Sequence, residues 1–394
     1  MRKLYAIPGV ALLLAACYSP EPFEAEEIES ASSQTSEMGT LFPVNGGKQI
    51  CNPSVSNDME NYPASMLWLN FSGKLNVKPP DSIYTTTRVE QHDRLTVSDT
   101  AGNVNWYMMI DKEAGECQFQ DPEWSTHANY VVALRAYDLD GSKACENLDY
   151  GIFAARMSDK KKFWFYTKGI GEFATPHVWV GEDALDRTDS TDAASDSTVE
   201  GFFGTKNVRL TYVTKKDEIV FVDFANGGLK KAVTLKKPAG RSSWSIDSPL
   251  ISPDGNFVVY NMVENSTTWE AYIQELSATS TAVKIEQETG MMSAPAQPHW
   301  FAFGGRLFVL WAEFPSGSQM LNKNDLAETS VQDGSVGRTV MREISLAANA
   351  PSDLAFEWLG EIRELAPVPL TGGRSPDGKF IATGTNNAYL LELP

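Results

Sequence analysis

The chain has 394 residues, 42% of them hydrophobic and 11% aromatic, and a formal net charge of −18. This composition excludes a wholly disordered chain, because enough apolar surface is present to form a core. The acidic balance argues against nucleic acid and anionic lipid surfaces as partners, because both would be repelled.

The first sixteen residues have the pattern of an export signal. Arg2 and Lys3 precede an apolar run from Leu4 to Leu14, which is shorter than the roughly 20 residues that span a bilayer. The run ends in Leu-Ala-Ala-Cys17, which resembles the lipobox of bacterial lipoproteins. The resemblance implies cleavage after residue 16, a lipid on Cys17 and a place in the bacterial cell envelope, at the outer membrane. An ordinary signal peptide is the alternative.

Residues 17–45 predict a flexible tether. The stretch "SPEPFEAEEIESASSQTSEMGT" contains six Glu and no Lys or Arg, and like charge keeps such a segment extended. The membrane would then be contacted only through the N-terminal lipid. Residues 46–394 would form the globular body.

The body consists of short runs rich in Val, Ile, Phe, Tyr and Trp, separated by Gly, Asn, Asp and Pro. Examples are "NYVVALRAY", "EIVFVDF", "NFVVYNMV" and "RLFVLWAEF". No long stretch has the 3.6-residue period of an amphipathic helix. The pattern predicts an all-β fold.

One four-residue segment, Ser-Pro-Asp-Gly, occurs at Ser252 to Gly255 and again at Ser375 to Gly378. Pro suits the second position of a tight turn, and Gly adopts positive φ without strain. The segment therefore predicts a hairpin turn between the first two strands of a repeated unit, not a catalytic site. It resembles the repeats of the TolB-like, WD-repeat-related β-propellers, and this resemblance implies a β-propeller.

Repeats of about 50 residues made of short strands predict propeller blades. Their expected ranges are 121–167, 175–236, 247–287, 296–361 and 370–394. The segment "SMLWLNFSG" near residue 65 would complete the last of these, and 80–118 the remaining blade. The count is six blades, with seven as the alternative. Trp124, Trp179 and Trp300 take one repeat position, which predicts packing between blades.

Three cysteines follow Cys17, namely Cys51, Cys117 and Cys145. They allow one intrachain disulfide, which an exported protein can form. The pattern does not select the pair, and three buried, reduced thiols are the alternative.

The four histidines include two at matching repeat positions, His177 in "PHVW" and His299 in "PHW". We expect them to approach the central channel and to bind a ligand or a metal there. The alternative is that both rings are satisfied by packing between blades.

No cofactor motif is present, and calcium is the one ion that the loops suggest. Its weak candidate ligands are Asp138 and Asp140 in "DLDG" and Asp189 and Asp192 in "DRTDSTDAASD". The spacing lacks the alternate-residue pattern, the central Gly and the closing Glu of a calcium loop. Solvated loops or hairpin turns are the alternative.

No serine-nucleophile, metalloprotease or phosphate-loop motif occurs. We therefore expect a monomeric, non-catalytic scaffold that binds an envelope protein or a cell-wall polysaccharide, with insertions 181–206 and 315–337 as contact surfaces. The alternative is a glycoside hydrolase or lyase with carboxylates in the central channel. The enzyme predicts channel carboxyls with shifted pKa, and the scaffold predicts small and polar residues there.

Overall fold

The structure is a computed structural model. It describes residues 33–36, 39–47, 50–70, 92–139, 141, 145–184, 197–224, 232–264, 268–286, 295–314, 337–346, 356–384 and 388–394. The predictions for residues 1–16, Cys17, Asp140, Asp189 and Asp192 lie outside these ranges. No helix within them is long and apolar enough to cross a membrane.

The described strands form six antiparallel sheets, which we number as blades 1 to 6. Two N-terminal strands come first: β1 (Gln34–Ser36) and β2 (Gly39–Pro43). The strands of blades 1 to 3 are, in order, β3 (Ile50–Val55), β4 (Ser65–Asn70), β5 (Arg94–Asp99), β6 (Val104–Met109); β7 (Glu116–Trp124), β8 (Tyr130–Asp138), β9 (Leu148–Arg156), β10 (Lys162–Ile170); β11 (His177–Val180), β12 (Val208–Val213), β13 (Ile219–Asp223), β14 (Val233–Thr234). The strands of blades 4 to 6 are β15 (Ser245–Ile251), β16 (Phe257–Glu264), β17 (Thr268–Glu275), β18 (Val283–Lys284); β19 (Ala296–Phe303), β20 (Arg306–Glu313), β21 (Arg338–Leu346), β22 (Phe356–Ala366); β23 (Leu370–Arg374), β24 (Phe380–Thr383), β25 (Tyr389–Glu392).

The blades close into a ring. The first strand of each blade, β3, β7, β11, β15, β19 or β23, contacts the first strand of the next blade, and β23 contacts β3. Six hydrophobic clusters of buried residues fill the spaces between neighbouring blades. Strands packed on both faces read as continuous apolar runs, as in β16. The protein is a six-bladed β-propeller, and the first strands surround its axis.

The N-terminal strand β2 closes the ring by pairing with β25 of blade 6, with Thr40 opposite Glu392 and Leu41 opposite Leu391. The prediction that the strand near residue 65 does this is wrong. Ser65–Asn70 is β4, which is buried along its whole length and pairs with β3 and β5. The ordered body therefore begins before residue 46, inside the segment assigned to the tether.

The predicted turns are confirmed. In both segments the glycine N–H donates to the serine carbonyl, Gly255 to Ser252 at 2.9 Å and Gly378 to Ser375 at 2.8 Å. Each serine hydroxyl also donates to the carboxylate two residues later and accepts the N–H of the next strand. Each segment joins the first and second strands of its blade, and both aspartates are turn residues.

The sequence did not indicate which cysteines pair. In the structure a disulfide joins Cys117 in β7 to Cys145 in the loop before β9. Asp138 lies beside it, at the end of β8, and its Oδ2 accepts the backbone N–H of Cys145 at 2.7 Å. This contact gives Asp138 a role in shaping the hairpin loop.

Part of the insertion 181–206 is packed into the core rather than displayed. Helix α1 (Val199–Phe203) begins after Thr198, whose hydroxyl accepts the N–H of Gly201. Phe202 and Phe203 are fully buried against Tyr130 and neighbouring aromatic rings of blades 2 and 3. The described part of this insertion therefore packs between blades 2 and 3. Residues 315–336 lie outside the described ranges.

Candidate functional site

The channel wall has a backbone feature that recurs in blades 1 to 5, a residue with positive φ directly before a proline. These residues, with φ between 37° and 52°, are Asn52, Asp121, Thr175, Ser248 and Gln297. Register shifts accompany it in β3, β7, β15 and β19. Such a conformation costs on the order of 1–3 kcal/mol for a residue other than glycine. These five polar residues lie on, or just before, the first strands of their blades, which surround the axis, and we call them the upper ring.

Asp121 in the upper ring connects three blades. Its Oδ1 accepts a hydrogen bond from Asn52 Nδ2 of blade 1 at 3.0 Å, and its Oδ2 accepts the backbone N–H of Thr175 at the start of blade 3 at 3.2 Å. Desolvation raises the pKa of Asp121 to about 7, and the charges of Asp247 and Glu172 add to the effect, although these hydrogen bonds oppose it. The carboxyl is therefore poised to titrate near neutral pH.

The residues that directly follow the five prolines are a second set at matching positions, which we call the lower ring: Ser54, Glu123, His177, Leu250 and His299. Glu123 Oε1 accepts hydrogen bonds from the Ser54 hydroxyl of blade 1 and from the Trp124 N–H at 3.2 Å. Desolvation raises the pKa of Glu123 to about 7, against the effect of these bonds. Glu123, like Asp121, is tied to the neighbouring blade.

A third channel carboxyl, Asp247, belongs to β15 of blade 4, and burial raises its pKa. Solvent reaches part of each of three carboxyl side chains, Asp121, Glu123 and Asp247, so each is half-buried. The protein atoms around them are nevertheless close enough to disfavour the charged form of each carboxyl. Side chains along a narrow, water-reached channel combine these two properties. The carboxyls thus mark the wall of the central channel.

Glu172, in the loop between β10 and β11, faces the same region. Tyr150 is buried, and its hydroxyl accepts a hydrogen bond from Gln118 Nε2 at 3.0 Å. Burial raises the pKa of Tyr150, and the charge of Glu172 and a hydrogen bond to it raise that pKa further. The charge of Asp121 also raises the pKa of Tyr150, so Glu172 and Asp121 both lie near this hydroxyl.

The two predicted histidines, His177 and His299, are both buried at matching positions of blades 3 and 5. His177 Nδ1 accepts the backbone N–H of Ile251 of blade 4 at 3.0 Å, and His299 Nδ1 contacts the carbonyl of Gln297 at 2.9 Å. Burial lowers the pKa of His177 to about 3, with a further contribution from the charge of His299, and burial lowers that of His299 to about 4. Both rings are neutral at neutral pH, and their role in ligand binding stays a prediction.

Two amide side chains of the channel wall, Gln297 and Asn261, were not identified from the sequence. Gln297 is 8% exposed, and its side-chain amide makes no hydrogen bond with any described residue. Behind it, the fully buried Asn261 accepts the Gln297 N–H at 2.8 Å, while Asn261 Nδ2 has no hydrogen-bond partner. Asn261 lies opposite Asp247 in the register of β15 and β16, so both side chains leave the same face of blade 4.

Metal binding finds no support in the part of the chain that is described, because it contains no group of three or more His, Cys, Asp or Glu side chains that could hold an ion. Of the four weak calcium ligands, only Asp138 is described, and it binds the Cys145 backbone. The wall therefore offers carboxyls, amides and hydroxyls to a ligand rather than a formed cation site.

The prediction that Trp124, Trp179 and Trp300 share one repeat position is wrong for Trp179. Trp124 and Trp300 stand two residues after their prolines, and Trp179 stands three after its own, so it points to the other face of its strand. Trp179 Nε1 donates to the Pro253 carbonyl of blade 4 at 2.8 Å. Trp300 Nε1 donates to the Leu250 carbonyl of blade 4 at 2.9 Å, so packing between blades is confirmed for both.

No protein-family model and no curated protein matches the chain. Solved structures that resemble it include TolB from Acinetobacter baumannii, with 11% identity over 84% of this chain and 64% of that one and a TM-score of 0.43. A putative TolB from Agrobacterium tumefaciens gives 12% identity over 90% and 97% of the two chains and a TM-score of 0.42. The GH43 endo-arabinanase from Bacillus licheniformis gives 8% identity over 78% and 98% and a TM-score of 0.36.

The match to the Acinetobacter protein covers less than two thirds of that protein's length. All three identities and TM-scores are low. The structural neighbours thus include TolB proteins and other propellers without assigning this chain to a family, and the six-bladed architecture rests on the strand order and the ring closure.

Proposed function

We propose that this protein is a non-catalytic binding propeller of the bacterial cell envelope, anchored by a lipid on Cys17. One observation carries the non-catalytic assignment. Of the two channel carboxyls that titrate near neutral pH, Asp121 uses both oxygens in hydrogen bonds to blades 1 and 3, and Glu123 uses Oε1 in hydrogen bonds to Ser54 of blade 1 and to the Trp124 N–H of its own blade. A general acid or nucleophile must present an oxygen to its substrate, and these three oxygens instead accept hydrogen bonds that hold blades 1, 2 and 3 together.

The partner of such a scaffold would be an envelope protein or a cell-wall polysaccharide, bound by a monomer of the propeller. The rigid ring supports two faces of loops and a polar channel, which are the surfaces that propellers offer to partners. The acidic net charge of −18 disfavours nucleic acid and supports a neutral or basic partner.

A pull-down tests this proposal. The body should begin at residue 33, so that β1 and β2 are retained, and should be incubated with detergent-solubilised envelope and, separately, with insoluble cell-wall polysaccharide. We expect specific retention on one of them, without release of sugar. A body unfolded with denaturant and immobilised in the same way is the control for nonspecific capture. Equal retention on both forms would contradict the binding proposal.

The second candidate function is glycoside cleavage in the channel. It is favoured by the mutual proximity of Asp121, Asp247 and Glu172, which helps to keep a proton on Asp121 near neutral pH. Two carboxyls in different protonation states are the requirement for such chemistry. Release of reducing sugar from cell-wall polysaccharide, abolished in Asp247→Asn and retained in the exposed Glu275→Gln, would establish the enzyme and overturn the scaffold.

Lipid attachment is tested separately by growing cells with an alkyne-tagged fatty acid. We expect label on the wild-type protein and none on Cys17→Ser, because the thioether needs the Cys17 sulfur. Fractionation of the envelope would locate the labelled protein at the outer membrane. Label that persists in the variant would contradict the anchor, while leaving the binding proposal to its own test.

A further inference from the structure

We propose that the channel wall of blades 2, 4 and 5 binds a small organic amine that also carries hydroxyl groups. This inference rests on the proposed binding function and names the chemical class of its ligand. The site combines the carboxyls of Asp247 and Glu172 with the amide of Gln297. Asp121, whose two oxygens are hydrogen-bonded to blades 1 and 3, lies beside these carboxyls, and Asn261 lies behind Gln297.

The carboxyl groups of the site are the reason to expect a positively charged ligand. Asp121, Asp247 and Glu172 come from blade 2, from blade 4 and from the loop between blades 2 and 3, so the fold brings them together from distant parts of the sequence. None of them forms an ion pair with a lysine, arginine or histidine in the described ranges. Uncompensated negative charges inside a protein are costly, and a bound ammonium group would offset that cost with charge-assisted hydrogen bonds.

The amide side chains are an independent observation, and they are the reason to expect hydroxyl groups on the ligand. Gln297 is more than nine-tenths buried on the innermost strand of blade 5, and its side-chain amide has no hydrogen-bond partner among the described residues. Asn261 Nδ2 is also unpartnered, beside Asp247 on the same face of blade 4. A fully buried amide nitrogen without a partner, as at Asn261 Nδ2, is rare because its desolvation is not compensated. Ligand hydroxyls can both donate to Gln297 and accept from it.

The arrangement disfavours a bare metal ion. No three acidic or histidine side chains within the described residues are close enough together to hold one. The carboxyls are near enough to influence each other's pKa but are spread over the wall, so an extended ligand spans them better than a single ion.

Isothermal titration of the body that begins at residue 33 tests the inference, with glucosamine as the probe near neutral pH. N-acetylglucosamine, which has the same ring and no ammonium charge, is the matched ligand control. We expect glucosamine to bind at least about tenfold more tightly, since a hydrogen bond to a charged group is worth about 1.5–3 kcal/mol. Equal affinities, or no heat from either sugar, would overturn the proposal.

Two variants localise the binding. Asp247→Asn keeps the side-chain shape and should weaken glucosamine binding on the order of tenfold, and Gln297→Leu should weaken both sugars to the same degree. Glu275→Gln, an exposed residue of the same blade, removes one charge far from the wall and should change neither. Thermal unfolding of each variant confirms that it is folded. Unchanged binding in folded Asp247→Asn would refute the site.

The outcomes separate this inference from the function on which it rests. Absence of glucosamine binding together with specific capture of an envelope component would overturn the amine site and leave the scaffold. Release of sugar fragments would overturn the non-catalytic function even if glucosamine binds in the channel.

Discussion

Trp179 of blade 3 covers Gly255, the glycine of the Ser-Pro-Asp-Gly turn of blade 4. A methyl group on Gly255 would lie 2.5 Å from the indole ring. The same relationship links blades 5 and 6, where a methyl group on Gly378 would lie 3.4 Å from the Phe301 ring. The repeated turn is therefore the place where an aromatic side chain of one blade docks onto the next.

Gly255→Ala should destabilise the protein beyond the cost of its backbone conformation. Gly255 has φ of 76°, and Gly240 has φ of 75° with nothing near its missing side chain, so Gly240→Ala isolates the backbone cost of about 1 kcal/mol. Overpacking against Trp179 should add about 1–3 kcal/mol to Gly255→Ala. Urea unfolding measures both, and equal losses would contradict the docking.

Removal of the closing strand should open the ring. A body that begins at residue 46 lacks β2, with its buried Leu41, and also lacks Val44; these two side chains are 6% and 2% exposed. Lost burial and unpaired backbone groups on β25 should lower the free energy of unfolding by roughly 3 kcal/mol or more. Thermal unfolding compares it with the body that begins at residue 33, and matching melting temperatures would show that β2 does not close the propeller.

The strands and the Ser-Pro-Asp-Gly turns could be predicted because their signals are local: apolar runs, and a turn whose residues fit it individually. The closing strand could not, because the pairing of Thr40 with Glu392 joins the two ends of the chain and leaves no periodic signal in the five residues of β2. The acidic stretch beside β2 instead suggested a tether that extends to residue 45.

The channel carboxyls escaped prediction for a different reason. Asp121 and Asp247 have no unusual neighbours in the sequence, and their pKa values are raised by burial that depends on ring closure. A signal was nevertheless present. A polar residue precedes a proline near the start of five blades, as in Asp121-Pro122 and Gln297-Pro298, and in each of these dipeptides the polar residue has a positive φ.

Glu123→Gln should become more stable relative to the wild type as the pH rises. Burial raises the pKa of Glu123 from 4.5 to about 7, so the folded state keeps a proton that the unfolded state has lost. This group therefore makes the wild type lose stability between about pH 4.5 and pH 7. Glutamine keeps the acceptor oxygen that Ser54 and Trp124 use, and it does not titrate.

Urea unfolding at several pH values across this window measures the difference between Glu123→Gln and the wild type. The difference should be smallest at the acid end and grow towards neutral pH. Glu275→Gln, an exposed position, should show no such growth. A difference that is constant with pH would mean that Glu123 ionises as easily in the folded state as in the unfolded one.

Replacement of both Cys117 and Cys145 by serine should destabilise blade 2. The disulfide closes a loop with a sequence separation of 28, and the chain-entropy model gives about 3–4 kcal/mol for such a loop. The loss should appear as a lower urea midpoint under oxidising conditions. Asp138→Asn, which keeps an acceptor for the Cys145 N–H, should cost much less because the disulfide still fixes the loop. If the double variant unfolds at the wild-type midpoint, the bridge adds nothing to stability and the buried strands of blade 2 hold this hairpin alone.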